Sequence, residues 1–142
     1  NQLLAEAARN AGVITAEEFA VFQNAGYMGL YGGMTVDDIH RKKNLEVGQK
    51  ILDYMGSTEL IANLFRISQT EEKLRKDRIS NSDSASAVHY KVGSEVREAI
   101  EKIGGTMPED LPTPEKSIAQ LEKEQLQRLK QQALDGQLML DE

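Results

Sequence analysis

The sequence predicts an all-α protein, a compact multi-helix domain with a Pro-rich connector and a protruding C-terminal helix. Three observations lead there. Of 142 residues only three are proline and 28% are charged, a balance that favours helices over a β-sandwich. Apolar residues recur at spacings of three and four. Hydroxyl and amide residues stand before these runs and glycines stand after them, the usual punctuation of helix starts and stops. About six or seven helices are expected.

Taken in order, residues 2–11 carry Leu3, Leu4, Ala7, Ala8 and Ala11 on one face and read as a short helix stopped by Gly12. Thr15-Ala-Glu-Glu18 has the capping-box pattern, hydroxyl at the cap and carboxylate three residues on. The helix it starts carries Phe19 and Phe22, with Gly26 expected to close it in the left-handed conformation. Tyr27 to Gly33 reads as a glycine-rich bend where backbones pack closely, with Tyr27 and Tyr31 as partly buried anchors. Its spacing matches no phosphate-binding loop. Thr35 is the expected cap of the next helix, with Asp37 and Asp38 in its first turn. Residues 48–55 give another short helical piece with Ile51, Leu52 and Met55 inward, ended by Gly56.

A longer helix begins at Ser57 or Thr58, with Leu60, Ile61, Leu64, Phe65 and Ser68 as its expected buried stripe. Asn81-Ser-Asp-Ser84 marks a break and a fresh cap. The next helix has the clearest period in the chain, Val88, Val92, Val96, Ala99 and Ile103, and Gly104-Gly105 is its stop. Residues 107–114 hold all three prolines and read as a stiff, extended connector. Thr113 and Pro114 are the expected cap and first residue of a last helix running to about Ala133. Its apolar residues, Ile118, Leu121, Leu126 and Leu129, make a narrow stripe, and Asp135-Gly136 is its expected end. The organisation is a helical body over 1–105, a connector over 106–114 and a C-terminal helix with tail over 115–142.

Composition narrows the function. The absence of cysteine excludes a disulfide framework, a thiolate nucleophile and a zinc knuckle, and fits a reducing compartment such as the cytoplasm. No apolar run approaches the ~18 residues of a membrane span. The chain opens at Asn1 rather than methionine and is read as a fragment or processed product. With 23 acids against 17 bases the net charge is −6, which weighs against duplex DNA binding as the main task. Two basic clusters stand against that balance: Arg41, Lys42 and Lys43, and Lys73, Arg75, Lys76 and Arg78. They read either as solvated helix ends or as partner contacts.

No catalytic constellation is visible, and no catalysis, cofactor or metal is expected. Asp37 and His40 have the i, i+3 spacing of metal ligands, but no second cluster completes a site, so they read as a capped helix start with an exposed histidine. His89 reads as a surface or half-buried histidine without a nucleophile nearby. Residues 35–55 have the outline of a helix-turn-helix, but core packing is the better account of them in an acidic chain. Gln137-Leu138-Met139-Leu140 resembles the Gln-Leu-x-Leu peptides with which bacterial polymerases and repair proteins hold the sliding clamp, although Asp141 and Glu142 follow where that pattern continues with an aromatic or leucine. The alternative is an apolar tail that folds back on its own domain or on a neighbour.

Three long phrases carry a wider resemblance: Met28-Gly-Leu-Tyr-Gly-Gly-Met-Thr-Val-Asp-Asp-Ile-His40, Ile51-Leu-Asp-Tyr-Met-Gly-Ser-Thr-Glu-Leu-Ile-Ala-Asn-Leu-Phe-Arg66 and Gly104-Gly-Thr-Met-Pro-Glu-Asp-Leu-Pro-Thr-Pro-Glu-Lys-Ser-Ile118. In the same order they resemble the C-terminal half of the bacterial DNA-damage-inducible protein D (DinD) family. The resemblance implies a protein of the SOS response that inhibits RecA-driven strand exchange by acting on the filament of RecA on single-stranded DNA. It also implies an N-terminal half, similar to the Bro-N domain of phage regulators, outside this chain. Two other readings stay open: a DNA-binding, antirepressor-like module, and an oligomerisation half that presents the Bro-N-like domain. Partners are thus the RecA filament, the clamp or a second copy. A further expectation, from net charge, is that Glu109, Asp110 and Glu115 compete with DNA for basic loops.

Overall fold

The computed structural model describes residues 1–141, with side chains described through residue 137. These residues form six α-helices and no strand: α1 (Gln2–Asn10), α2 (Ala16–Leu30), α3 (Val36–Lys42), α4 (Ser57–Lys76), α5 (Ser82–Ile103) and α6 (Ile118–Asp141). Short 3₁₀ turns cover Ile51–Tyr54 and Pro108–Asp110. None of the helices is long and apolar enough to cross a membrane among the described residues.

The expected caps at Thr15, Thr35 and Asn81 are in place. Thr15 and Thr35 each accept a hydrogen bond from the third residue of their helix, and Glu18 and Asp38 reach back to the capping backbone N–H. Both carboxyls are held below the usual acid range, first by these backbone hydrogen bonds. Asn81 caps α5, and Gly104 ends it at φ +85°, where a glycine avoids a Cβ clash.

α2 does not stop at Gly26; it runs on to Leu30 because its glycines serve packing rather than termination. A Cβ on Gly26 would overlap the His89 ring, and one on Gly29 would overlap the Tyr90 carbonyl. From the other side, a Cβ on Gly93 would lie 2.7 Å from the Gly26 carbonyl oxygen. Glycines on both helices therefore let the backbones of α2 and α5 meet, and only residues 31–33 form the turn. Tyr27 and Tyr31 are buried rather than partly so.

The core has two apolar clusters. One joins α1 to Phe22, Ile67, Leu74 and Ala85; the other gathers Leu30, Ile39, Ile51, Met55, Val92 and Val96 around the two tyrosines. Leu3, Ala99 and Ile103, assigned to buried stripes from their spacing, are exposed, and Ile103 is the last residue of α5.

The largest correction concerns α4. Ile61, Leu64, Phe65 and Ser68 face solvent, and the residues turned inward are Glu59, Asn63, Arg66, Ile67, Thr70 and Leu74. Glu59, Asn63 and Arg66 face inward because they hydrogen-bond Lys43, Tyr31 and His89 from neighbouring elements, and the Thr70 hydroxyl donates to the Arg66 carbonyl of α4 itself.

The segment 107–114 is a strap rather than a free spacer. Pro108 is buried, and Arg97 grips both carboxylate oxygens of Glu109 at 2.7 and 2.8 Å. Thr113 does not cap a helix; its hydroxyl accepts from Lys43 Nζ at 3.4 Å, which turns it towards the body. α6 begins at Ile118, four residues beyond the expected Pro114, and Ser117 Oγ accepts from the Gln120 N–H. The helix passes through Asp135 and Gly136 instead of ending there. Leu121, Leu126, Leu129 and Leu134 are about half exposed, so α6 protrudes with its apolar stripe uncovered.

Replacing Gly93 by alanine forces a methyl against backbone atoms of α2, which have no rotamer to escape into. The expected loss is about 1–3 kcal/mol of unfolding free energy, read by urea denaturation. Gly136→Ala, where nothing lies within 4 Å of the added methyl, serves as the control and should leave that value unchanged or raised.

Candidate functional site

The inward face of α4 builds a buried polar chain. Lys43 Nζ, on the residue after α3, donates to Glu59 Oε1 at 2.7 Å and to the Tyr54 carbonyl at 3.1 Å. The Tyr31 hydroxyl donates to Glu59 Oε2, and Asn63 Nδ2 donates to the Tyr31 oxygen at 3.0 Å. Arg66 Nη2 donates to Asn63 Oδ1 at 3.0 Å, and Nη1 donates to His89 Nε2 at 2.7 Å. His89 Nδ1–H then donates to the Phe22 carbonyl at 2.8 Å. The arginine lies 4.5 Å from the Tyr27 ring centroid, a cation–π contact that offsets part of its lost hydration.

These contacts determine charge states. His89 is 1% exposed, not the surface or half-buried residue its sequence context suggested. Its Nε2 accepts from a guanidinium, so its proton sits on Nδ1 and the ring is neutral. Burial, then the Arg66 charge, push its pKa down to about 3. Burial and then Glu59 raise the Tyr31 phenol, which stays protonated and serves as donor. Burial lowers Arg66 from the ordinary arginine value, yet a guanidinium starts so high that it remains a cation. The network is buried along α4, with a small cavity of about 80 Å³ at its Tyr31–Glu59–Lys43 end, and it organises the helices around it.

What α4 shows to solvent is apolar. Ile61 is 66% exposed, Phe65 54% and, across on α5, Ile103 83%. Between the two helices runs a groove of two joined cavities, one apolar of about 360 Å³ and one more polar of about 430 Å³, sharing Phe65, Val96 and Ala99. Glu72, Lys73, Lys76 and Glu95 flank the polar half.

The sequence-identified basic residues do not form one patch. Lys43 leaves the surface, since its side chain is buried in the pair with Glu59. Arg41 pairs with Asp38 at 2.7 Å and Lys42 lies 3.6 Å from Asp110. Lys73 pairs with Asp77 and Arg75 with Glu71, each at i, i+4 on α4 and its cap. Lys76 and Arg78 have no ion-pair partner among the described residues, and Arg78 holds a left-handed φ of +50° in the α4–α5 turn. Glu109 and Asp110, expected to compete for basic loops, are engaged by Arg97 and Lys42.

Asp37 and His40 gather no third ligand, and no metal-binding group occurs among the described residues. His40 is half-buried, its Nε2 3.0 Å from the Gln49 carbonyl, rather than exposed. The backbone of Gln137, Leu138 and Leu140 continues α6, while the side chains of residues 138–142, on which the clamp resemblance depends, lie outside the described residues. The Glu59, Asn63, Arg66, Thr70 network was missed, although its spacing of four, three and four is as helical as any apolar stripe.

Residues 1–121 match the family described as the DinD C-terminal domain. The chain is 58% identical over 122 residues to DNA damage-inducible protein D of Escherichia coli (strain K12), a match covering 86% of this chain and 44% of that protein. The chain thus spans less than half the length of that curated relative. No solved structure matches it.

His89 makes stability pH-dependent with a definite sign. The unfolded histidine takes up a proton near pH 6.5 and the folded one only near 3. Protons in that window favour the unfolded chain, so stability should fall as pH drops from 6.5 towards 3. Urea midpoints should show this decline, and His89→Gln should lower stability at pH 7 while flattening the slope.

Proposed function

The chain belongs to the DinD C-terminal domain family, and on that premise we propose that it is a regulatory binding module of the bacterial DNA-damage response. It acts in the cytoplasm on the RecA–single-stranded-DNA filament and inhibits RecA-mediated strand exchange, without catalysis of its own. The observation that carries this reading is the identity to a DNA damage-inducible protein across most of this chain. The resemblance to the family implies the filament as target.

The surface we assign to the contact is the α4–α5 turn. Arg41, Lys42, Lys73 and Arg75 each have an acid of their own chain within ion-pair distance, and Lys43 is buried. That leaves Lys76 and Arg78 as the unpaired cations of the two clusters. The same pairing, with the net charge of −6, disfavours the DNA-binding alternative.

The test adds this chain to preformed RecA filaments and follows strand exchange. Inhibition is expected, and Lys76→Ala with Arg78→Ala should weaken it at unchanged helicity. A folded chain that leaves strand exchange untouched would move the activity outside these residues. Inhibition that survives the double substitution would exclude the turn.

A further inference from the structure

The strap over residues 106–114 is undercut on both faces. On one face Pro108 and Leu111, with Gly105 and Thr106, close the end of the apolar α4–α5 cavity. On the other, the same two residues roof the small cavity of about 80 Å³ over Tyr31, Lys43 and Glu59. Within the strap only Pro108 is buried. No backbone hydrogen bond joins it to the helices among the described residues. The two it makes, from the Asp110 N–H to the Met107 carbonyl and from the Leu111 N–H to the Pro108 carbonyl, stay inside the strap. A segment with so few buried contacts and no backbone tie to its neighbours opens at a lower free energy than the helices it covers.

Side chains therefore hold the strap down, and one pair dominates. Lys42 and Asp110 are 3.6 Å apart and well exposed, an arrangement worth little in water. Lys43 Nζ reaches the Thr113 hydroxyl only at 3.4 Å. Arg97 Nη1, by contrast, donates to both oxygens of Glu109 at 2.7 and 2.8 Å, and both side chains are mostly buried. Charge-assisted bonds at such distances are the strong ones. The body is also built to survive their loss. Arg97 keeps the Leu30 carbonyl at 3.1 Å, at the end of α2. Lys43 keeps Glu59 and the Tyr54 carbonyl when Thr113 leaves. Neither cation is stranded by opening.

We propose that the strap is a lid latched by the Arg97–Glu109 pair, which opens while α1 to α5 stay folded. Opening removes the end wall of the apolar groove and lengthens it past Pro108 and Leu111. It admits water to the Lys43–Glu59 pair through the small cavity. It also releases the root of α6, because the strap is the chain's link between α5 and that helix. The lid does not rest on the RecA reading.

Backbone amide exchange of the 142-residue chain, followed by NMR and corrected for intrinsic rates, tests it. The Asp110 and Leu111 amides report on docking, since a single 3₁₀ turn does not persist alone. In the unmodified chain they should exchange faster than the interior amides of α4 and α5. Glu109→Gln should accelerate them by about tenfold or more and leave those helix interiors unchanged. Asp110→Asn, which removes only the exposed pair, should accelerate them far less. Arg97→Gln combined with Glu109→Gln should accelerate them no more than the larger single substitution, as a coupled pair requires. Strap amides no faster than the helix interiors would mean that the strap opens only by global unfolding, and would overturn the proposal. So would strap amides indifferent to Glu109→Gln, an acceleration by Glu109→Gln shared equally by every helix, or effects that multiply in the double variant.

Discussion

Arg66 is the hinge of this structure. A guanidinium 2% exposed is costly to bury, and the chain offsets the cost with His89 and Asn63 as hydrogen-bond acceptors and the Tyr27 ring as a π face. Those partners come from α5, α4 and α2. Holding one side chain therefore brings three helices to one point, although its Nε finds no hydrogen-bond partner. His89 also stacks on Phe22 at 4.4 Å between ring centroids, so the polar junction joins the two apolar clusters.

The glycine crossing is a condition of the same arrangement. His89 occupies the space a side chain on Gly26 would take, and Gly93 lets α5 approach the α2 backbone. Only at that distance does the His89 ring reach the Phe22 carbonyl. On the other flank the Lys43–Glu59 pair is buried, so α3 is held by charge as well as by Ile39. Breaking such a pair strands a buried charge, typically at a cost of about 3–5 kcal/mol.

A direct consequence is the inverted character of α4. With Glu59, Asn63, Arg66 and Thr70 turned inward beside Ile67, the apolar Ile61, Leu64 and Phe65 are left on the outer face. The exposed groove is therefore the other face of the buried network. Much of this was legible in principle. The regular spacing of those four residues marks a helix face as clearly as leucines would, but the rule that apolar faces are buried assigned the wrong side. The basic clusters were likewise visible as clusters. Which of their members are free was not, since Lys43 finds Glu59 sixteen residues away and Lys42 finds Asp110 far beyond that.

What the sequence determined by itself is local. The all-helical class, the Thr15, Thr35 and Asn81 caps, the left-handed stop at Gly104 and the protruding last helix follow from contacts within a few residues, which composition and spacing encode directly. Three phrases in fixed order also sufficed to assign the family. The tertiary structure alone decided the rest. It turned Gly26 from a helix stop into a helix crossing, made Thr113 a partner of Lys43 rather than a cap, and made His89 a neutral core residue. Each outcome depends on a group remote in sequence, and a buried polar atom takes whichever partner the packing brings within hydrogen-bond reach.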